Sequence, residues 1–260
     1  MIDTHAHLTD EHYNDTRDFM IKNFKTDGLD YVFTIGYDFK SSVDCVRLAE
    51  KYDNVYAIIG VHPDEIASFT SDCREYFKLT AKHPKVLAIG EIGLDYHYRH
   101  DNKDEQKKVF IEQLKLASEE GLPVVIHNRD SISDMLEILE QNKTLLKNGG
   151  LFHCFGESVE TYRRIKKLGL KVAFGGVCTF KNAVNVHKTL EEVSLDDFVL
   201  ETDCPYLTPE PYRGKMVNQP KFVKLVAEKI AQIKSMSVDE IIKIADENTY
   251  KLFRKLKGKQ

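Results

Sequence analysis

Four histidines and two carboxylates draw attention because each ends or interrupts a short apolar run. His5 and His7 form an HxH pair near the start of the chain. Alternate residues of a strand point the same way, so both imidazoles would share one face. Glu91 lies in the run A-I-G-E-I-G-L-D at 88–95, between glycines. A carboxylate in such surroundings is costly unless it is paired or bound to a cation. His127 closes the run 123–127, His153 sits inside 151–155, and Asp203 ends 198–203, with Glu201 on its face by period two. Imidazole nitrogens and carboxylate oxygens are donors for zinc-class divalent metals. Singly, each residue has an ordinary structural explanation, a buried ion pair for Glu91 or a satisfied core histidine for His127 and His153. Together they exceed what one tetrahedral ion takes. Two divalent ions, spaced as in two-metal hydrolases, are the natural arrangement.

Such a set needs a scaffold that gathers distant points of the chain. Short apolar runs at 2–7, 31–37, 55–62, 86–94, 124–127, 151–155, 171–174 and 198–203 read as strands. They hardly alternate, which suits strands buried on both faces of a parallel sheet. Amphipathic patterns separate them; the clearest predict helices at 106–120, 131–140, 222–234 and 238–255. Eight strand–helix units predict an α/β fold, a (β/α)₈ TIM barrel formed by residues 1–260 as one domain. An open doubly wound sheet gives a similar alternation. The barrel is favoured because no glycine-rich phosphate loop follows the first strand. It is favoured further because nearly every strand ends in a polar residue, where barrel active sites gather.

Composition narrows the function. The chain has 260 residues, a formal net charge of −4 and a pI of about 6.2. Proteins that hold duplex DNA by broad phosphate neutralisation usually carry a basic surface. Gripping a chain end through metal ions needs no such surface. The five cysteines are scattered, with no CxxC spacing, so neither a disulfide framework nor a cysteine-rich zinc site is expected. The N-terminal residues show no basic stretch followed by an apolar run, and no apolar stretch approaches the ~20 residues that span a bilayer. A cytoplasmic protein that engages no membrane is the expectation, and no stable protein partner is implied.

The motifs together resemble one family. H-A-H at 5–7, G-V-H-P at 60–63, G-E-I-G-L-D at 90–95, H-N-R-D at 127–130, H-C-F at 153–155 and E-T-D-C-P-Y-L at 201–207 are similar, in order, to the TatD family of metal-dependent deoxyribonucleases. That family belongs among the amidohydrolase-like enzymes. The resemblance implies a (β/α)₈ barrel and hydrolysis of DNA from a 3′ end. Carried over residue by residue, it implies that His5, His7, Glu91 and Asp203 hold one metal. Glu91, as a bridge, would hold the second with His127 and His153. His62 and Arg129 would face substrate phosphate, since guanidinium matches phosphate oxygens in pairs. Arg213 would touch substrate from the loop that follows 205–207. In that loop the family usually shows an arginine-glycine-lysine-arginine-asparagine-glutamate-proline-like run. Here R-G-K-M-V-N-Q-P stands at 213–220, one residue longer and without the second base and the acid.

The reaction so implied is metal-assisted hydrolysis of a phosphodiester in single-stranded DNA ends. Asp203 would take the proton of the attacking water, and Glu91 would be catalytic as the bridging ligand. Tyr96, Tyr98 and Tyr206 are candidates for stacking on bases. Nitrogen-rich ligands favour zinc, manganese or iron, whereas DNases of this resemblance are often assayed with magnesium. Two other readings stay open: a hydrolase of carboxylic esters or amides on the same scaffold (a lactone, a cyclic amide or an aminoacyl-tRNA ester), and a non-catalytic binding barrel. Complete occupancy of the six donor positions weakens the last.

Overall fold

The computed structural model describes residues 1–97 and 101–256. Eight parallel strands hydrogen-bond in sequence order: β1 (Ile2–Ala6), β2 (Tyr31–Ile35), β3 (Val55–Ile59), β4 (Val86–Asp95), β5 (Val124–Arg129), β6 (Gly150–Phe152), β7 (Lys171–Phe174) and β8 (Phe198–Leu200). Helices α1 (Arg17–Asn23), α2 (Phe39–Lys51), α3 (Ser71–Thr80), α4 (Lys103–Glu119), α5 (Ile132–Gln141), α6 (Val159–Lys167) and α7 (Val184–Glu192) fill the successive crossovers. Helices α8 (Val223–Lys234) and α9 (Val238–Leu252) follow the last strand. The expected barrel is the observed one.

Two apolar layers explain the near-continuous hydrophobic runs. One lies between strands and helices and includes Val32, Ala57, Ile89, Phe110, Ile126 and Leu139. The other fills the barrel interior with Phe33, Ile58, Leu87, Val125, Leu151 and Val199. Phe253, just past α9, plugs the interior, with its ring 5.0 Å from that of Phe33 at 79°. Among the described residues no helix is long and apolar enough to cross a membrane.

Strand boundaries differ from the sequence expectation in both directions: β4 and β5 run on to Asp95 and Arg129, past the expected 94 and 127. β1, β2, β3, β6 and β8 end before the predicted limit, so His7, His62, His153 and Asp203 stand just beyond the ladders. His7, His62, His153 and Asp203 remain buried or half-buried there, but the backbone bonds of these segments run elsewhere. The His7 N–H donates to the Cys204 carbonyl at 2.7 Å, and the Asp203 N–H to that of His5 at 2.8 Å.

Those two bonds belong to the seam where β8 meets β1, joined by one backbone bridge, Ala6 to Cys204. Side chains complete the closure. Asp3 is fully buried and accepts from the Thr202 N–H at 2.9 Å, the Thr202 hydroxyl at 2.6 Å and the His5 N–H at 3.3 Å. Burial pushes the Asp3 pKa well above the ordinary carboxylate range, against the pull of these donors. Thr4 adds a bond from its hydroxyl to the Leu200 carbonyl at 2.9 Å. Each buried donor left unpaired costs about 1–3 kcal/mol. Asp3→Ala is therefore expected to lower stability by at least about 2 kcal/mol, read as a lower denaturant midpoint at unchanged m-value. An unchanged midpoint would show that the seam does not depend on Asp3.

Candidate metal centre

Backbone irregularities aim the donors into the barrel. Ile2 packs in the interior, and strict alternation would turn His5, three residues on, outward. The register of β1 against β2 shifts between Asp3 and Ala6, and His5 instead faces inward beside Glu91. The same device recurs in β4. Ala88 belongs to the interior cluster, the register against β5 shifts between Ile89 and Ile92, and Glu91 also turns inward. Bulges commonly re-aim side chains in this way next to active sites. Gly93 has φ +152°, and a Cβ there would lie 2.0 Å from the His127 carbonyl oxygen. Only glycine lets β4 approach β5 this closely below His127.

Glu91 is the hub. Its Oε2 lies 3.4 Å from His5 Nε2 and 3.8 Å from His7 Nε2, and its Oε1 lies 2.7 Å from His127 Nδ1 and 3.0 Å from His153 Nε2. Asp203 Oδ1 faces the same pair of histidines as Oε2, 3.6 Å from His5 Nε2 and 3.4 Å from His7 Nε2. All six sequence-predicted donors thus converge at the C-terminal mouth of the barrel. The His5 and His153 rings stack at 4.1 Å.

The residues fit metal ions. Donors held about 2.0–2.2 Å from one tetrahedral ion sit roughly 3.3–3.6 Å apart. The separations among His5, His7, Glu91 Oε2 and Asp203 are of that size, too long for good hydrogen bonds. His5 Nε2, which faces Glu91 and Asp203, is buried without a hydrogen-bond partner, a costly state that a cation would relieve. Among the described residues, three donor groups have ligand atoms within 4.8 Å of one another: His5, His7 and Asp203; His5, Glu91 and His153; and His62, Asp95 and His127.

Neighbours set how the donors present themselves. His7 Nδ1 lies 3.2 Å from the Ile35 carbonyl, to which it can only donate, so its Nε2 is left to bind. His127 Nε2 lies 3.0 Å from Asp95 Oδ2, which leaves Nδ1 facing Glu91. Burial opposes charge on every donor here. For Glu91 the imidazoles of His153 and His127 outweigh it and hold the carboxyl well below its usual range. For Asp203 the imidazoles of His7, His153 and His5 do the same. On His127 burial is overcome by Asp95 and Glu91, and on His153 by Glu91 and Glu201, so both pKa values rise. His62 goes the other way, pushed down to about 3 by burial and by His127. Its Nδ1 accepts the Asp64 N–H at 3.2 Å, which places the proton of the neutral ring on Nε2.

All the donors but the fully buried His5 line the floor of a cleft of about 720 Å³ whose walls include His62, Arg129, Tyr37 and Tyr206. Arg129 is exposed at the end of β5. Arg213 is not brought to this cleft: its guanidinium lies 3.7 Å from the Phe180 ring centre in a neighbouring depression. Lys215 does not line the cleft either, and its ammonium bonds the Pro211 carbonyl. Tyr96 corrects an expectation. It is 5 % exposed, with its hydroxyl on Asp134 at 2.8 Å, so it presents no face for stacking. Tyr98 lies outside the described residues. Tyr37, not anticipated, takes a wall position. Asp95 was also unassigned, although its place four residues after Glu91 on one strand puts both on one face. Glu201, fully buried, accepts the Cys154 N–H at 2.6 Å and lies 3.5 Å from His153 Nδ1. Burial pushes the Cys154 thiol up, so it stays protonated beside the cleft.

Four of the five non-glycine residues with positive φ among those described stand around this mouth: Asp130, Cys154, Asp203 and Leu207. Left-handed backbone is costly for side-chain-bearing residues and gathers at functional sites. No periodicity of sequence reveals it.

A parallel barrel with a histidine–carboxylate cluster at the C-terminal ends of its strands defines a metal-dependent hydrolase. The profile of the family described as "TatD related DNase" matches residues 2–254. The chain belongs to the TatD family. It is 41 % identical over 254 residues to the uncharacterized metal-dependent hydrolase YabD of Bacillus subtilis (strain 168), covering 98 % of this chain and 99 % of that one. It is 34 % identical over 257 residues to the uncharacterized metal-dependent hydrolase YcfH of Escherichia coli (strain K12), covering 97 % and 95 %. The crystal structure of YJJV, a TatD homolog from Escherichia coli K12, superposes with a TM-score of 0.90 at 27 % identity, covering 98 % of each chain.

Proposed function

We propose that this hydrolase is a deoxyribonuclease that removes nucleotides from the 3′ end of single-stranded DNA. The observation that supports it best is the concave cleft whose floor holds Glu91, with one oxygen toward His5 and His7 and the other toward His127 and His153, and whose wall includes Arg129. In this reading one divalent ion is held by His5, His7, Glu91 and Asp203, and a second by Glu91, His127 and His153. Bound there, the ions supply Lewis-acid activation of water and neutralise phosphate charge. Zinc and manganese suit the nitrogen-rich donors better than magnesium. Asp203, ionised and within reach of the floor, accepts the proton of the attacking water. Arg129 grips phosphate oxygens, and the Nε2–H of His62 donates to another. Asp95 and Glu201 orient His127 and His153. Tyr37 and Tyr206 offer stacking faces to bases.

His62, Asp95 and His127 form the third donor group, yet the Nε2–H tautomer of His62 favours phosphate over metal. Elemental analysis of metal-saturated protein tests this: two ions per chain fit, whereas three would assign that group to a further ion.

The net charge of −4 opposes broad neutralisation of a duplex, and an unbroken duplex is too stiff to bend into the cleft cheaply. The test is digestion of an end-labelled single strand beside a closed circular duplex, with manganese or magnesium present. Mononucleotides released stepwise from the 3′ end are expected. Rapid nicking of the circle with the linear strand intact would refute an exonuclease. Cleavage of neither, with hydrolysis of a carboxylic ester, would transfer the assignment to ester or amide substrates.

A further inference from the structure

Tyr206 is 50 % exposed and borders three depressions: the cleft, a polar groove, and a smaller pocket of about 450 Å³. A strand that leaves the cleft past this ring enters one or the other of its two neighbours. The polar groove is lined by Asp10, Glu11, Asp38 and Asp44. Its arginines are engaged: Arg17 bonds the carbonyls of Leu8, Thr9 and Asp10, and Arg47 bonds Asp44. Its lysines, Lys40 and Lys51, bring the cations only level with the four acids, and Lys51 pairs with Asp18, so the groove offers phosphate no net positive charge. The smaller pocket has no carboxylate in its lining, and Arg213 is its cation. That guanidinium lies flat enough on Phe180 to sit 3.7 Å from the ring centre, yet the residue stays exposed. Met216 and Val217, 46 % and 44 % exposed, form an apolar wall.

The loop carrying these residues is built into the fold. Tyr212 stacks on Phe222 at 4.9 Å and 16°, and the Thr208 hydroxyl bonds the Met216 carbonyl at 3.0 Å. Buried Asn218 bonds the carbonyls of Thr202 and Tyr206 at 2.8 and 2.6 Å. Tyr206 itself is held by its hydroxyl on Asp10 at 2.9 Å. A volume within the ~300–1,000 Å³ of small-molecule sites, an apolar wall, a stacked guanidinium and no acid together suit one chemistry. They suit a nucleobase with its phosphate, since bases stack on aromatic rings and arginine planes.

We propose that this pocket is a second nucleotide subsite. It takes the nucleotide next to the scissile one, its base against Arg213 and Met216 and its phosphate under the guanidinium charge. Tyr206 divides the two subsites. The proposal rests on the nucleic-acid reading of the cleft, and it gives Arg213 a substrate contact away from the metals.

The test is fluorescence anisotropy with cleavage-resistant phosphorothioate oligothymidylates of one to six nucleotides, each carrying a 5′ fluorescein, and manganese-loaded protein. Wild type, Arg213→Ala and Met216→Ala are compared, with unchanged melting temperatures confirming the fold. Wild-type affinity is expected to tighten about tenfold when the second or third nucleotide is added. Both variants should lose most of that step. A step retained in the variants, or no length dependence in wild type, overturns the subsite while leaving the nuclease reading intact. No binding of any single strand by wild type overturns both.

Discussion

Glu91→Gln is expected to empty the metal centre while leaving a folded barrel. Glu91 alone reaches every donor histidine: Oε2 faces His5 and His7, and Oε1 faces His127 and His153. The amide keeps the shape but replaces one carboxylate oxygen with a group that cannot ligate, and it removes the negative charge among four imidazoles. Changes in residues that merely orient ligands cost ~10–100-fold in metal affinity. Loss of the shared ligand should exceed that. Elemental analysis after dialysis against a buffered metal series reads the effect, and circular dichroism checks the fold. A variant that retains wild-type stoichiometry at the same free metal concentration would remove Glu91 from the ligand set.

Asp203→Asn should leave a protein of nearly normal stability that turns over ~10²–10⁴-fold more slowly, the range for loss of a general base. The backbone supports this, since the Asp203 N–H bond to His5 and its left-handed conformation do not need the carboxylate, and asparagine also tolerates φ of +56°. Metal affinity should fall as well, so kcat is read at saturating metal. A wild-type kcat at saturation would take the proton-accepting role away from Asp203.

The barrel was legible because its strands are buried on both sides and its helices are amphipathic, and both conditions leave periodic traces. The donor set was legible for a related reason: polar residues are conspicuous in apolar runs. What escaped was set by orientation and by distant packing. Tyr96 follows Asp95 on the chain, so it points to the helix layer and Asp134 while Asp95 points inward. The inward aim of His5 and Glu91 depends on register shifts in β1 and β4 that alternation does not foresee. Arg213 belongs to a loop without periodicity, and its position depends on Phe180, far away in sequence. Tyr37 stands two residues past β2, and only the closed barrel makes it a wall of the cleft.

The seam has a temporal meaning. The nearest neighbours in one donor group, His7 and Asp203, come from opposite ends of the strand order, and Asp3 and Thr202 clasp the same junction. On the ribosome, His5 and His7 emerge nearly 200 residues ahead of Asp203. The chain cannot offer them the carboxylate that follows β8 until those residues have been made. Synthesis at roughly 5–20 residues per second leaves that pair waiting on the order of ten seconds or more. On the proposed ligand set, metal capture by His5, His7, Glu91 and Asp203 together is a late event, coupled to closure of the last strand, and incomplete chains are spared a fully formed centre.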